Sequence, residues 1–117
     1  MILLVEDEAP LRRAFTHVLQ GKGYQVIQAI DGNEALKLLD DCVFNLVITD
    51  IVLPNLNGID LVNIIRTKWR RMPIILVSGY LSQEDGNRIL EADTVFIQKP
   101  IKTEYLVQTV HRLIGDP

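Results

Sequence analysis

Hydrophobic positions along the chain come in short runs and helical stripes that alternate. Ile2–Val5 is an apolar run stopped by the acidic triplet Glu6, Asp7 and Glu8. Leu11, Ala14, Phe15, Val18 and Leu19 then recur at helical spacing, which places Arg12, Arg13 and Thr16 on the opposite face. Gly21 and Gly23 close this helix, since glycine accepts the left-handed conformation of a C-terminal cap. Tyr24–Ala29 reads as a second strand. Asp31 and Glu34 have capping-box spacing and open a helix that turns Ala35, Leu36 and Leu39 inward. Leu46, Val47 and Ile48 form an unbroken run, the mark of a strand buried on both faces, and Asp50 stands where it stops. The turn formers Pro54, Asn55, Asn57 and Gly58 follow. Asn57 caps a helix bearing Leu61, Val62 and Ile65, which ends near Trp69 with Lys68, Arg70 and Arg71 at the end favoured by cations. Pro73 starts a fourth strand through Val77, and Ser82 with Asp85 marks a short fourth helix over 83–91, weakened by Gly86. Thr94–Gln98 is a fifth strand, and a last helix spans Thr103–Ile114 with Leu106, Val110 and Leu113 inward.

Five strands alternating with five helices predict βαβ units, hence an α/β fold with a parallel sheet covered on both faces. Right-handed crossovers leave few topologies. The order 2-1-3-4-5 sets strands 1 and 3 side by side at the switch point where open sheets bind ligands. The 117 residues, 48% of them apolar, suit one domain over 1–117 with a proper core. No apolar run approaches a membrane span, and no signal peptide is visible, which predicts a cytoplasmic protein without membrane insertion. One cysteine, Cys42, excludes an internal disulfide and reads as a small, partly buried apolar residue. A net charge of −3 speaks against direct nucleic-acid binding.

The chemistry gathers where the strands end. Loops after strands 1, 3, 4 and 5 converge on one edge and deliver Glu6 with Asp7, Asp50, Ser78 and Lys99. Clustered carboxylates repel one another unless one is protonated or a cation joins them. A hard divalent ion such as Mg²⁺ suits an all-oxygen site and keeps several waters beside one or two carboxylates. With Lys99 and the Ser78 hydroxyl, the set reads as a phosphoryl site in which Asp50 acts as nucleophile.

Four stretches carry a family resemblance: I-L-L-V-E-D-E at 2–8, I-T-D-I-V-L-P-N-L-N-G at 48–58, I-I-L-V-S-G at 74–79 and F-I-Q-K-P at 96–100. In that order, each at the end of a predicted strand, they make the chain resemble the receiver domain of two-component response regulators over essentially its whole length. The resemblance implies a flavodoxin-like (βα)5 doubly wound sheet, and the strand order above rests partly on it. It also implies that Asp50 is the phosphoacceptor. Asp7 ligates Mg²⁺ directly, Glu6 through water, and the backbone carbonyl of Val52 completes the protein ligands; Mn²⁺ is able to substitute. Lys99 pairs with the phosphoryl group, and the bond before Pro100 is cis. Ser78 is the switch hydroxyl and Phe96 the switch aromatic. The implied donor is a phosphohistidine on a sensor histidine kinase or a histidine phosphotransfer protein. Phosphorylation then alters the surface of the fourth helix, fifth strand and fifth helix, which acts on an output domain, a partner or a second copy. Such a domain catalyses only its own phosphorylation and dephosphorylation and is not a turnover enzyme. Gly79, Gly86 and the A-D-T-V stretch at 92–95 depart from the common pattern and predict a weak or displaced helix near 83–91. Val52 and Tyr80 are expected to shield the acceptor in part.

Other readings compete. An aspartyl phosphatase needs a second acid, often two residues past the nucleophile, where Val52 sits. A flavin binder would not place Glu6, Asp7 and Glu8 beside a phosphate. A phosphorylation-independent docking module remains as the alternative. His17 and His111 read as solvated surface residues, and Phe96 is open to a plain core role.

Overall fold

The computed structural model describes residues 1–79 and 94–117. Strands β1 (Ile2–Val5), β2 (Val26–Ala29), β3 (Leu46–Asp50), β4 (Ile74–Ser78) and β5 (Thr94–Gln98) form one parallel sheet in the order 2-1-3-4-5. The described residues also form helices α1 (Ala9–Gly21), α2 (Gly32–Asp41), α3 (Gly58–Lys68) and α4 (Thr103–Ile114). The fourth helix expected over 83–91, with Ser82, Asp85, Gly86 and the neighbouring Tyr80, lies outside the described residues, so the helix that closes the chain is α4 here.

Side chains along the strands alternate between two cores. Leu3, Val5, Val47, Ile74 and Leu76 meet Ala35 and Leu39 of α2 and Ile59, Leu61, Val62 and Ile65 of α3. Ile2, Leu4, Leu46, Ile48, Ile75 and Val77 meet Phe15 and Leu19 of α1 and Leu106 and Val110 of α4. Covering both faces is why β1, β3 and β4 read as continuous apolar runs and are buried at every position. Side-chain caps start two of the helices: Asp31 Oδ1 accepts from the Glu34 N–H at 2.8 Å and Asn57 Oδ1 from the Asp60 N–H at 2.9 Å.

Three local expectations shift. The second strand begins at Val26, not Tyr24; Tyr24 is a buried anchor whose hydroxyl donates to the Gly115 carbonyl at 2.6 Å. The fourth strand runs Ile74–Ser78, shifted one residue toward the C-terminus from the expected Pro73–Val77. The buried face of α1 is also rotated: Thr16 is buried and Ala14 exposed, the reverse of the sequence stripe. Thr16 pays little for this because its hydroxyl donates to the Arg12 carbonyl at 2.8 Å.

Candidate functional site

Backbone contacts between neighbouring segments hold the site's residues in place. Beyond the end of β1, the Glu6 N–H donates to the Ala29 carbonyl of β2 at 3.0 Å. Asp50 is the last residue of β3 and pairs with Val77, one position before Ser78. The Lys99 N–H donates to the Ser78 carbonyl at 2.8 Å, tying the end of β5 to the end of β4. Chain order thus becomes lateral order along one sheet edge.

Three of the predicted residues meet directly. The Lys99 ammonium donates to Asp50 Oδ2 at 2.6 Å and lies 3.7 Å from Glu6 Oε1. Asp50 Oδ1 accepts from the Val52 N–H at 3.1 Å, while Glu6 Oε2 accepts from the Glu8 N–H at 3.1 Å. Glu6 and Asp50 are both buried, at 3% and 6% exposure, whereas Asp7 is exposed beside them. Ser78 is buried at the strand edge. Phe96 is partly buried against the core of α2 and α3, with Leu76 as its strand partner. Val52 is 72% exposed, and its N–H is the group that bonds Asp50. The Lys99–Pro100 peptide is cis.

Charge is unbalanced in this pocket. Burial is the main cause that pushes the Glu6 carboxyl up from 4.5 to about 7; the Asp50 charge and a hydrogen bond with Asp7 add to it, and the Glu8 N–H and Lys99 oppose it. Burial tends to lower the Lys99 ammonium, but hydrogen bonding to Asp50 and the charges of Asp50, Glu6 and Glu8 outweigh it and hold the lysine above its ordinary value. Two buried carboxylates therefore share one lysine, and the site is short of positive charge. Oxygen donors, buried negative charge and exposed Asp7 at the rim fit Mg²⁺, which binds through few carboxylates and retains waters. Among the described residues no group of three or more His, Cys, Asp or Glu side chains is arranged to hold a metal ion.

A raised carboxyl has a signed consequence for stability. Between about 4.5 and about 7 the folded chain holds a proton on Glu6 that the unfolded chain has released, so stability falls as pH rises. Glu6→Gln keeps the shape without the charge. In metal-free buffer it should flatten the decline of Tm across that window, and a decline as steep as wild type would exclude Glu6 as its source.

Sequence reasoning overlooked one contact. Arg12, expected to lie on the solvent face of α1, is half-buried, and its guanidinium bonds to the Glu6–Asp7 backbone and to Gln28. No pattern in the sequence marks an arginine that turns back over its own N-terminal loop.

A family model described as response regulator receiver domain matches residues 2–111. The chain is 36% identical to a probable transcriptional regulatory protein of Picosynechococcus sp., over 97% of this chain and 48% of that protein. It is 33% identical to the sensor kinase CckA of Brucella abortus, over 97% of this chain and 12% of that protein. The chain thus spans about half of one relative and about an eighth of the other. Among solved structures, the receiver domain of NtrX from Brucella abortus superposes with a TM-score of 0.88 at 29% identity, covering 97% of this chain and 98% of that one.

Proposed function

The chain belongs to the response regulator receiver domain family, and from that premise we propose that it accepts a phosphoryl group on Asp50 in a Mg²⁺-dependent transfer from a partner's phosphohistidine. The observation that carries this reading is the buried Asp50 carboxylate at the end of β3, held at 2.6 Å by Lys99 with Glu6 alongside.

One Asp50 oxygen forms the new P–O bond as the donor's P–N bond breaks. The electron pair leaves on the imidazole nitrogen, and with a proton on the ring's other nitrogen the product is neutral imidazole, so the receiver need not supply a proton. The Val52 N–H and Lys99 orient the carboxylate before transfer, and the lysine afterwards pairs with the phosphoryl oxygens. Glu6, Asp7, Asp50 and the Val52 carbonyl would hold the Mg²⁺ (or Mn²⁺), whose charge would offset that of the incoming group. Ser78 then bonds a phosphoryl oxygen, and Phe96 turns inward behind it. The two carry the change to the surface near β5 and α4, where an output domain, a partner or a second copy reads it. Hydrolysis of the acyl phosphate resets the switch. The domain is a self-modifying signalling module, with a cytoplasmic histidine kinase or phosphotransfer protein as donor.

Intact mass after incubation with Mg²⁺ and acetyl phosphate tests the reading. One phosphoryl adduct, lost when EDTA replaces Mg²⁺, is expected. Mg²⁺ binding without any adduct would overturn it in favour of a phosphorylation-independent docking module.

A further inference from the structure

The geometry points to Arg12 as a positioning residue for the metal-binding loop: its guanidinium, braced by Gln28, holds the Asp7–Glu8 peptide in the orientation that aims the Glu6 carboxylate. This rests on the reading of Glu6 and Asp7 as Mg²⁺ ligands.

Nη1 of Arg12 donates to the Glu6 carbonyl at 2.9 Å and to the Asp7 carbonyl at 3.4 Å, while Nε donates to Gln28 Oε1 of β2 at 3.1 Å. The Asp7 carbonyl and the Glu8 N–H belong to one peptide unit, and in a planar trans peptide they point in opposite directions. The same plane therefore receives Arg12 on one side and donates to Glu6 Oε2 at 3.1 Å on the other. Rotation of that peptide would withdraw the N–H from Glu6 and leave its carboxylate without that bond. A brace on the acidic loop counters the repulsion between Glu6 and Asp50, which the shared Lys99 offsets only in part. A planar fork reaching two carbonyls and a side chain on another strand is a task for arginine that lysine performs poorly.

Electrostatics alone predicts the opposite sign. A guanidinium near a divalent cation repels it, so deleting the charge would tighten Mg²⁺ binding. If orientation dominates, deletion weakens binding.

The test is Mg²⁺ affinity, read from amide chemical shifts of residues 6–8 during titration with MgCl₂. Phosphorylation by acetyl phosphate is followed against Mg²⁺ concentration beside it. Arg12→Met is expected to weaken Mg²⁺ roughly tenfold, the low end for residues that orient metal ligands. Arg12→Lys should recover less than half of that loss. The maximal phosphorylation rate at saturating Mg²⁺ should stay near wild type, a split that general destabilisation would not produce. Gln28→Ala removes only an exposed acceptor, so it serves if the arginine variants fold poorly; a loss smaller than that of Arg12→Met is expected. Unchanged or tighter Mg²⁺ binding in Arg12→Met, or in Gln28→Ala where that variant stands in, overturns the proposal while leaving the receiver chemistry intact. Full recovery by Arg12→Lys also overturns it, since charge and not the fork would then be at work. No Mg²⁺ response in the wild type overturns both the proposal and the reading beneath it.

Discussion

Asp50→Asn should take up no phosphoryl group from acetyl phosphate or from a phosphohistidine donor, a loss of at least about a thousandfold in rate if the carboxylate is the nucleophile. The amide retains nearly the same shape, so a loss of reactivity reports chemistry and not packing. It preserves at most half of the local bonding. The amide oxygen can still accept from the Val52 N–H, which now bonds Oδ1 at 3.1 Å. The amide nitrogen then faces the Lys99 ammonium, donor against donor, where a carboxylate oxygen now accepts at 2.6 Å. Lys99 is left with Glu6, 3.7 Å away, as its nearest carboxylate. Intact mass in Mg²⁺ is the measurement. An adduct at the wild-type level would place the acceptor elsewhere, with buried Glu6 the next residue to replace.

Gly58→Ala should destabilise the fold by about 3 kcal/mol, the upper part of the usual range for overpacking. A Cβ on Gly58 would lie 2.0 Å from the Asp50 carbonyl oxygen, 2.7 Å from Ile51 Cα and 2.8 Å from the Asp50 carbonyl carbon. All three are backbone atoms at the end of the central strand, so no rotamer change relieves the clash. The Gly58 N–H also donates to the Ile51 carbonyl at 2.7 Å, which keeps the start of α3 pressed against the strand. Either α3 retreats or the Asp50 backbone moves, and the acceptor moves with it. Chemical denaturation should show the midpoint shift, and phosphorylation of the folded fraction should slow. Gly21→Ala is the matched control, because its Cβ would meet nothing within 4 Å. Equal stability of the two variants would refute the contact.

Much of this architecture is local and therefore readable. Ile2–Val5, Thr94–Gln98 and Thr103–Ile114 carry their periodicity in neighbouring residues, and their observed bounds match the pattern. Asp31 and Asn57 cap helices through N–H groups three residues away, a distance within reach of sequence reasoning. Motifs at the strand ends pick out Glu6, Asp50 and Lys99 from the sequence alone.

The remaining features depend on what faces a residue from far along the chain. Tyr24 continues an apolar run, yet it leaves the strand and bonds a carbonyl 91 residues on. Thr16 and Ala14 exchange places because helix α1 settles with Phe15, Thr16 and Leu19 turned inward, a rotation that ambiguous spacing leaves open. Gly58 reads as a turn former, but its necessity comes from the Asp50 carbonyl pressed against it. Arg12 reads as a surface charge until the loop before α1 folds beneath it. The sequence by itself determined the described elements, their order and the residue types at the site, since propensity, periodicity and short motifs act over a few residues. Tertiary structure alone decided the 2.6 Å contact across 49 residues, the raised Glu6 carboxyl and the brace on its loop. Burial and charge interaction depend on distance in space, which only the closed sheet establishes.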